Sequence, residues 1–212
     1  MGMDQLLAIL SVIPFALILP SLAAATVDDA KYPVYYTHTD IAEFIKTSCK
    51  VTLYPELCVS SLSSYAGSLK AKRSDLVKAA VVISLLNARN VSVWAAGLKA
   101  RGAMMSKREN AALKDCIQNF RDTTYEIKGS LVELKKLKPY SFKFQMSNVQ
   151  TWMSAALTDQ ESCLNGFQDL HATGHVTAMV TDRVQNARKL ISNALALVNT
   201  FAATGGGHEL HV

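Results

Sequence analysis

The sequence predicts an all-α protein, an antiparallel up-and-down four-helix bundle carrying an N-terminal helical hairpin and two disulfides. Three observations predict it. Four long segments read as helices, and the apolar seam of the second steps alternately by four and three residues, the period of left-handed bundle packing. No segment shows strand alternation of any length, and five prolines and ten glycines in 212 residues leave room for long helices. Four cysteines stand behind an apolar leader, the pattern of a stapled secreted domain. Half the residues are apolar and 18% are charged, which suits one packed domain rather than a disordered chain.

Residues 1–25 belong to a different regime. From Leu6 to Leu22 the chain is almost wholly apolar, and Ala23, Ala24 and Ala25 meet the small-residue rule for cleavage, so a signal peptide is expected. The stretch before it holds Asp4 and no base, which leaves an N-terminal membrane anchor as the alternative; Pro14 and Pro20 favour cleavage. No other segment approaches the roughly 18 consecutive apolar residues of a spanning helix, so no membrane association is expected after cleavage. Cleavage removes Asp4 from 17 acids and nothing from 22 bases, which raises the net charge from +5 to +6. A cationic protein favours anionic partners, including acidic polysaccharide.

After a lead segment, 26–38, the hairpin is expected over 39–72. Asp40 and Glu43 have capping-box spacing before a short helix, Ile41 to Cys49. Tyr54-Pro55 breaks it, because proline disfavours the helical conformation in the residue before it. A second short helix then runs from Glu56 to Leu69. On one continuous helix Cys49 and Cys58 would lie roughly 13 Å apart, beyond the ~7 Å that a disulfide tolerates; the reversal at Tyr54-Pro55 brings them together.

The bundle is expected over 73–203. Its first helix runs from about Asp75, behind Ser74 as N-cap, to Arg101, with Gly102 as its stop. Its second opens with a capping box, Ser106 and Glu109, and ends before Pro139; its seam is Leu113, Ile117, Phe120, Thr124, Ile127, Leu131 and Leu134. A further box, Ser147 with Gln150, opens the third, whose seam is Val149, Met153, Ala156, Gln160, Cys163, Phe167 and Leu170. Trp152 is expected in the core with Met153. Beyond Gly174 the fourth seam runs Val176, Val180, Val184, Ala187, Ile191, Ala194, Val198 and Phe201, and a flexible tail is expected over 204–212. Cys116 and Cys163 are equidistant from the Pro139-Tyr140 turn, and residues equidistant from a turn sit at one height on antiparallel helices. The pairing Cys49–Cys58 and Cys116–Cys163 follows.

Catalytic constellations are absent from the sequence: no Gly-x-Ser-x-Gly elbow, no phosphate-cradling loop, and no thiol left over once the cysteines pair. No enzyme activity and no cofactor are expected. His171 and His175 have metal-ligand spacing, but Gly174 interrupts their helix and nothing completes a site; His208 and His211 lie in the tail. Lys135, Lys136 and Lys138 complement a helix C-terminus rather than form a nucleic-acid stripe. Asn90-Val91-Ser92 is a glycosylation sequon placed inside a helix.

What remains is a bundle that acts by binding, and four motifs carry a resemblance. The run from Cys49 through Leu53, Tyr54, Pro55 and Glu56 to Cys58 resembles the N-terminal hairpin signature of the plant invertase/pectin methylesterase inhibitor family. Ala112 to Cys116 is similar to its third-cysteine motif, Val149 to Phe167 to its fourth, and Leu190 to Leu197 to its last helix, so that residues 39 to 202 are covered. The family implies the same fold and the same disulfide pairing. Cys163-Leu164-Asn165-Gly166-Phe167 resembles the form common in methylesterase inhibitors, and a Pro-Lys-Phe segment used against invertase does not occur. The resemblance therefore implies a secreted, apoplastic inhibitor of pectin methylesterase, laid across the enzyme's pectin-binding cleft in a one-to-one complex. The alternatives are inhibition of acid invertase and a weak, charge-driven association with acidic pectin. With no catalytic domain before Val212, the chain resembles a free-standing inhibitor. Motif alignment puts the contact positions at Gln118, Ser162 and Asn165; family members often carry acids at the first and third, and the amides here leave acid-dependent pH sensitivity without a basis.

Overall fold

The computed structural model describes residues 37–100, 105–168 and 175–205. The signal peptide, most of the lead segment, Gly102, Gly174 and the tail from 206 onward lie outside them. Helices α1 (His38–Cys49) and α2 (Pro55–Ser63) form the hairpin, and α3 (Arg73–Ala100), α4 (Lys107–Lys135), α5 (Phe142–Gln168) and α6 (His175–Ala203) form the bundle.

The capping box of α1 lies three residues before the expected one. Thr37 Oγ1 accepts from the Asp40 N–H at 3.2 Å, and the Asp40 carboxylate accepts from the Thr37 N–H at 2.9 Å. Asp40 is thus the acidic third residue of a box and not its cap. As expected, Tyr54 leaves the helical region, at φ −125° and ψ 70°; α2 itself begins one residue before the expected Glu56, with Pro55 in its first turn. The reversal closes Cys49–Cys58 with Cα atoms 5.7 Å apart. Helix α2 stops at Ser63, short of Leu69, and a single 3₁₀ turn covers Ala66–Ser68. The hydroxyls of Ser61 and Ser63 bond back to carbonyls of their own helix, the competition that makes serine a poor helix interior.

Helix α3 begins at Arg73, so Ser74 stands in its first turn and is not its N-cap; the Lys72 carbonyl accepts from the Leu76 N–H. Ala71, at φ 51°, makes the left-handed step that launches it. The Ser106–Glu109 box of α4 forms as expected, at 2.8 and 3.2 Å. Its seam is buried except at one place, where Thr123, not Thr124, points inward.

Helix α5 starts at Phe142, five residues before the expected Ser147 cap, so that Ser147 is interior to it. Gln145 replaces the cap. Its Oε1 accepts from the Lys138 N–H at 2.9 Å and the Ser141 hydroxyl at 3.0 Å, while its Nε2 donates to the Lys136 carbonyl and to Glu133. One buried carboxamide thereby satisfies three polar groups of the α4–α5 turn, while the Lys136 and Ser141 N–H groups donate to backbone carbonyls. Phe142 locks the start edge-on against Phe201, ring centres 5.4 Å apart.

Helix α3 packs on α4 and α6, and α5 on the same two, which puts α3 diagonally opposite α5. The described residues of the third and fourth seams are all buried. Met153 is fully enclosed, whereas Trp152 lies half-buried against Gly129 of α4; a Cβ there would come within 2.9 Å of the indole. The hairpin sits on α3 and α6. Asn193, 3% exposed, fastens it: its Oδ1 accepts from the Tyr54 N–H at 3.1 Å and its Nδ2 donates to the Tyr54 carbonyl at 2.8 Å.

A candidate protein-binding face beside the Cys116–Cys163 bridge

Cys116 and Cys163 are bonded across α4 and α5 with Cα atoms 4.6 Å apart, and both are buried. The bridge fixes the height of one helix against the other, and therefore the spacing of the polar residues that follow each cysteine. All four cysteines are consumed in the two disulfides.

Gln118, two residues after Cys116, is exposed, and its Nε2 is shared between the Asp122 carboxylate oxygens at 3.0 and 3.2 Å. Ser162 is exposed and donates to the Thr158 carbonyl at 3.0 Å, a bond within its own helix that a partner can replace. Asn165 is exposed one turn past it. The three are not gathered around one cavity. Gln118 opens onto a groove of about 640 Å³ between α3 and α4, edged by Lys99, Lys114 and Arg121 and floored by Ala96 and Ile117. Asn165 opens onto a cleft of about 440 Å³ between α5 and α6, closed by Tyr54. In that cleft Arg188 holds Glu161 through Nε at 3.1 Å and Nη2 at 2.7 Å, and the Lys189 ammonium lies 5.5 Å from the centre of the Tyr54 ring.

These cations were not singled out from sequence, although Lys114, Gln118 and Arg121 fall at steps of four and three on one helix stripe. Two open grooves with charged rims, flanking a cross-linked helix pair, suit a broad protein surface better than a small molecule, which favours an enclosed pocket. Among the described residues no group of three His, Cys, Asp or Glu side chains is placed to hold a metal ion.

Behind this face runs a polar seam. Gln160 and Thr123 are wholly buried; Gln160 donates to the Thr123 hydroxyl at 2.7 Å, and that hydroxyl donates to Asp159 at 3.1 Å. Glu126 adjoins Asp159 across the two helices. Burial, then the charge of Asp159, pushes the Glu126 carboxyl up from 4.5 to about 7, and burial also raises Asp159. Below that pH Glu126 carries the proton and donates it to Asp159.

Residues 43–197, with both disulfides and every residue named on this face, match the model of the plant invertase/pectin methylesterase inhibitor family. The chain belongs to that family. Pectinesterase inhibitor 9 of Arabidopsis thaliana is 39% identical over 165 residues, covering 76% of this chain and 81% of the relative. Pectinesterase inhibitor 3 of the same plant is 36% identical over 202 residues, covering 92% and 97%, and a 21 kDa protein of Daucus carota is 36% identical over 197 residues, covering 91% and 95%. The crystal structure of a mutant form of a pectin methylesterase inhibitor from Arabidopsis superposes with a TM-score of 0.59 at 18% identity, covering 73% of this chain and 95% of that one, which shows the shared fold.

Proposed function

We propose that this protein is secreted to the plant cell wall and inhibits pectin methylesterase by covering the enzyme's pectin-binding cleft in a one-to-one complex. The observation that carries the reading is the family match across the bundle together with relatives of 36–39% identity named as pectinesterase inhibitors. The geometry supports it. A rigid, cross-linked pair of helices presents Gln118, Ser162 and Asn165 as exposed hydrogen-bonding groups, flanked by basic grooves. The mechanism needs no reactive group on the inhibitor: it is exclusion of substrate, and it works only if the covering face keeps its shape when the enzyme's cleft desolvates it. The bridge, and the polar seam of Thr123 and Gln160, supply that stiffness.

Titration of the oxidised protein against a plant pectin methylesterase, with methanol release as readout, tests the proposal. Inhibition should saturate at equimolar protein, and Gln118→Ala combined with Asn165→Ala should weaken it at least tenfold, about 1.4 kcal/mol. Full esterase activity at equimolar protein refutes it. Sucrose hydrolysis by acid invertase, run with the same sample, should be unaffected.

A further inference from the structure

Helix α3 presents an outer face that the proposed inhibitory role does not use. Between Lys78 and Lys99 it carries one charged residue, Arg89. Leu86 is 44% exposed and Val93 is 73% exposed, both large apolar side chains open to solvent. Asn90 is exposed between them, one turn after Leu86 and one turn before Val93, on the same stripe of the helix. It heads the sequon Asn90-Val91-Ser92.

We propose that Asn90 carries an N-linked glycan whose first sugars lie over Leu86 and Val93 and mask this apolar stripe. The donor is a lipid-diphosphate-linked oligosaccharide of the secretory pathway. The side-chain nitrogen of Asn90 bonds to the anomeric carbon of the first sugar, the sugar–phosphate bond breaks, the lipid diphosphate leaves, and one amide proton is lost to base. No oxidation or reduction is involved. The helical setting is no obstacle, because transfer acts on the chain as it enters the lumen, before α3 has formed, and the folded structure then leaves the amide in solvent. A sugar ring offers a C–H face to apolar side chains and hydroxyls to water, which is the chemistry that a lone apolar stripe on a secreted protein needs.

The position is also compatible with inhibition. Helix α3 packs on α4 and α6 and lies diagonally opposite α5, so its outer face turns away from the helix that carries Ser162 and Asn165. The inference rests on the secretion proposed above but not on the esterase as target.

The test is to express the full chain behind its own N-terminus in plant cells and to measure the mass of the protein in the medium. Enzymatic release of N-glycans should remove one glycan and convert Asn90 to aspartate in the peptide that carries it. Ser92→Ala and Asn90→Gln should each be secreted without the glycan. Both should bind an apolar fluorescent dye several-fold more than wild type, and adding Leu86→Ser and Val93→Ser should reverse that gain. Esterase inhibition should be the same for the glycosylated and glycan-free forms, so a failed inhibition assay leaves this result readable. Secreted wild-type protein with unmodified Asn90, or retention of unmodified protein in the cell, overturns the proposal. Dye binding unchanged by loss of the glycan overturns its masking role.

Discussion

Replacing Glu126 by glutamine should remove a pH dependence of stability that the wild-type bundle carries between about pH 5 and pH 8. The carboxyl sits at about 7 against an ordinary 4.5, first because it is partly buried and then because Asp159 and Asp122 are negative beside it. Its proton is held more tightly folded than unfolded. The stabilisation is therefore complete below about pH 4.5 and is lost as the pH rises through about 7. At 1.36 kcal/mol per pKa unit the full difference is roughly 3 kcal/mol. The group is only partly enclosed, and solvent screening reduces that to about 1–2 kcal/mol. Glutamine keeps the shape and the donor toward Asp159 and has no proton to lose. Urea unfolding at pH 5 and pH 8 should show wild type losing about 1–2 kcal/mol more than Glu126→Gln between the two. Equal losses in both proteins would falsify the assignment of a shared proton across α4 and α5.

Gly129→Ala should destabilise by about 1–2 kcal/mol, because the clash with Trp152 outweighs alanine's better helix propensity, and Trp152→Leu in the same chain should recover most of the loss in urea melts. Opening Cys116–Cys163, 47 residues apart, by double serine substitution should cost about 4 kcal/mol on loop entropy; opening Cys49–Cys58, 9 apart, should cost about 2.5. Thermal melts that ranked the two in the opposite order would count against the loop-entropy account. Asn193→Ala should cost about 1–3 kcal/mol and should speed hydrogen exchange at residues 50–56 while leaving α4 and α5 protected.

Those perturbations fall on features of unequal legibility. The bundle was readable because a helix that must bury one stripe repeats its apolar residues, and the fourth seam from Val176 to Phe201 did so without a break. The disulfides were readable because Pro55 and Pro139 mark the reversals about which each cysteine pair is disposed. Helix starts were less so. Asp40, Ser74 and Ser147 all have the chemistry of a cap, but a cap is decided by where the chain first turns, and here Ala71 and Phe142 decide it from outside the capping pattern. Of the polar residues inside the bundle, only Gln160 fell on a predicted seam, and its partners gave no signal. Gln145, Gln160 and Asn193 are each drawn inward by a backbone or hydroxyl partner on another segment, and a sequence does not display such partners. The candidate face was half legible. Gln118, Ser162 and Asn165 could be named from motifs, while the grooves beside them need Lys99 from α3 and Arg188 from α6, brought alongside only by packing.

The Asn193–Tyr54 tether spans 139 residues. A ribosome delivers the chain from its N-terminus, so the hairpin can close its own nine-residue bridge long before the carboxamide that fastens it has been made. During that interval Ile41, Ile45 and Leu62, all buried in the finished protein, have no α6 to rest on. Synthesis therefore separates two events: the first element to be stapled can lie against α3 early but waits for the last helix to fasten it.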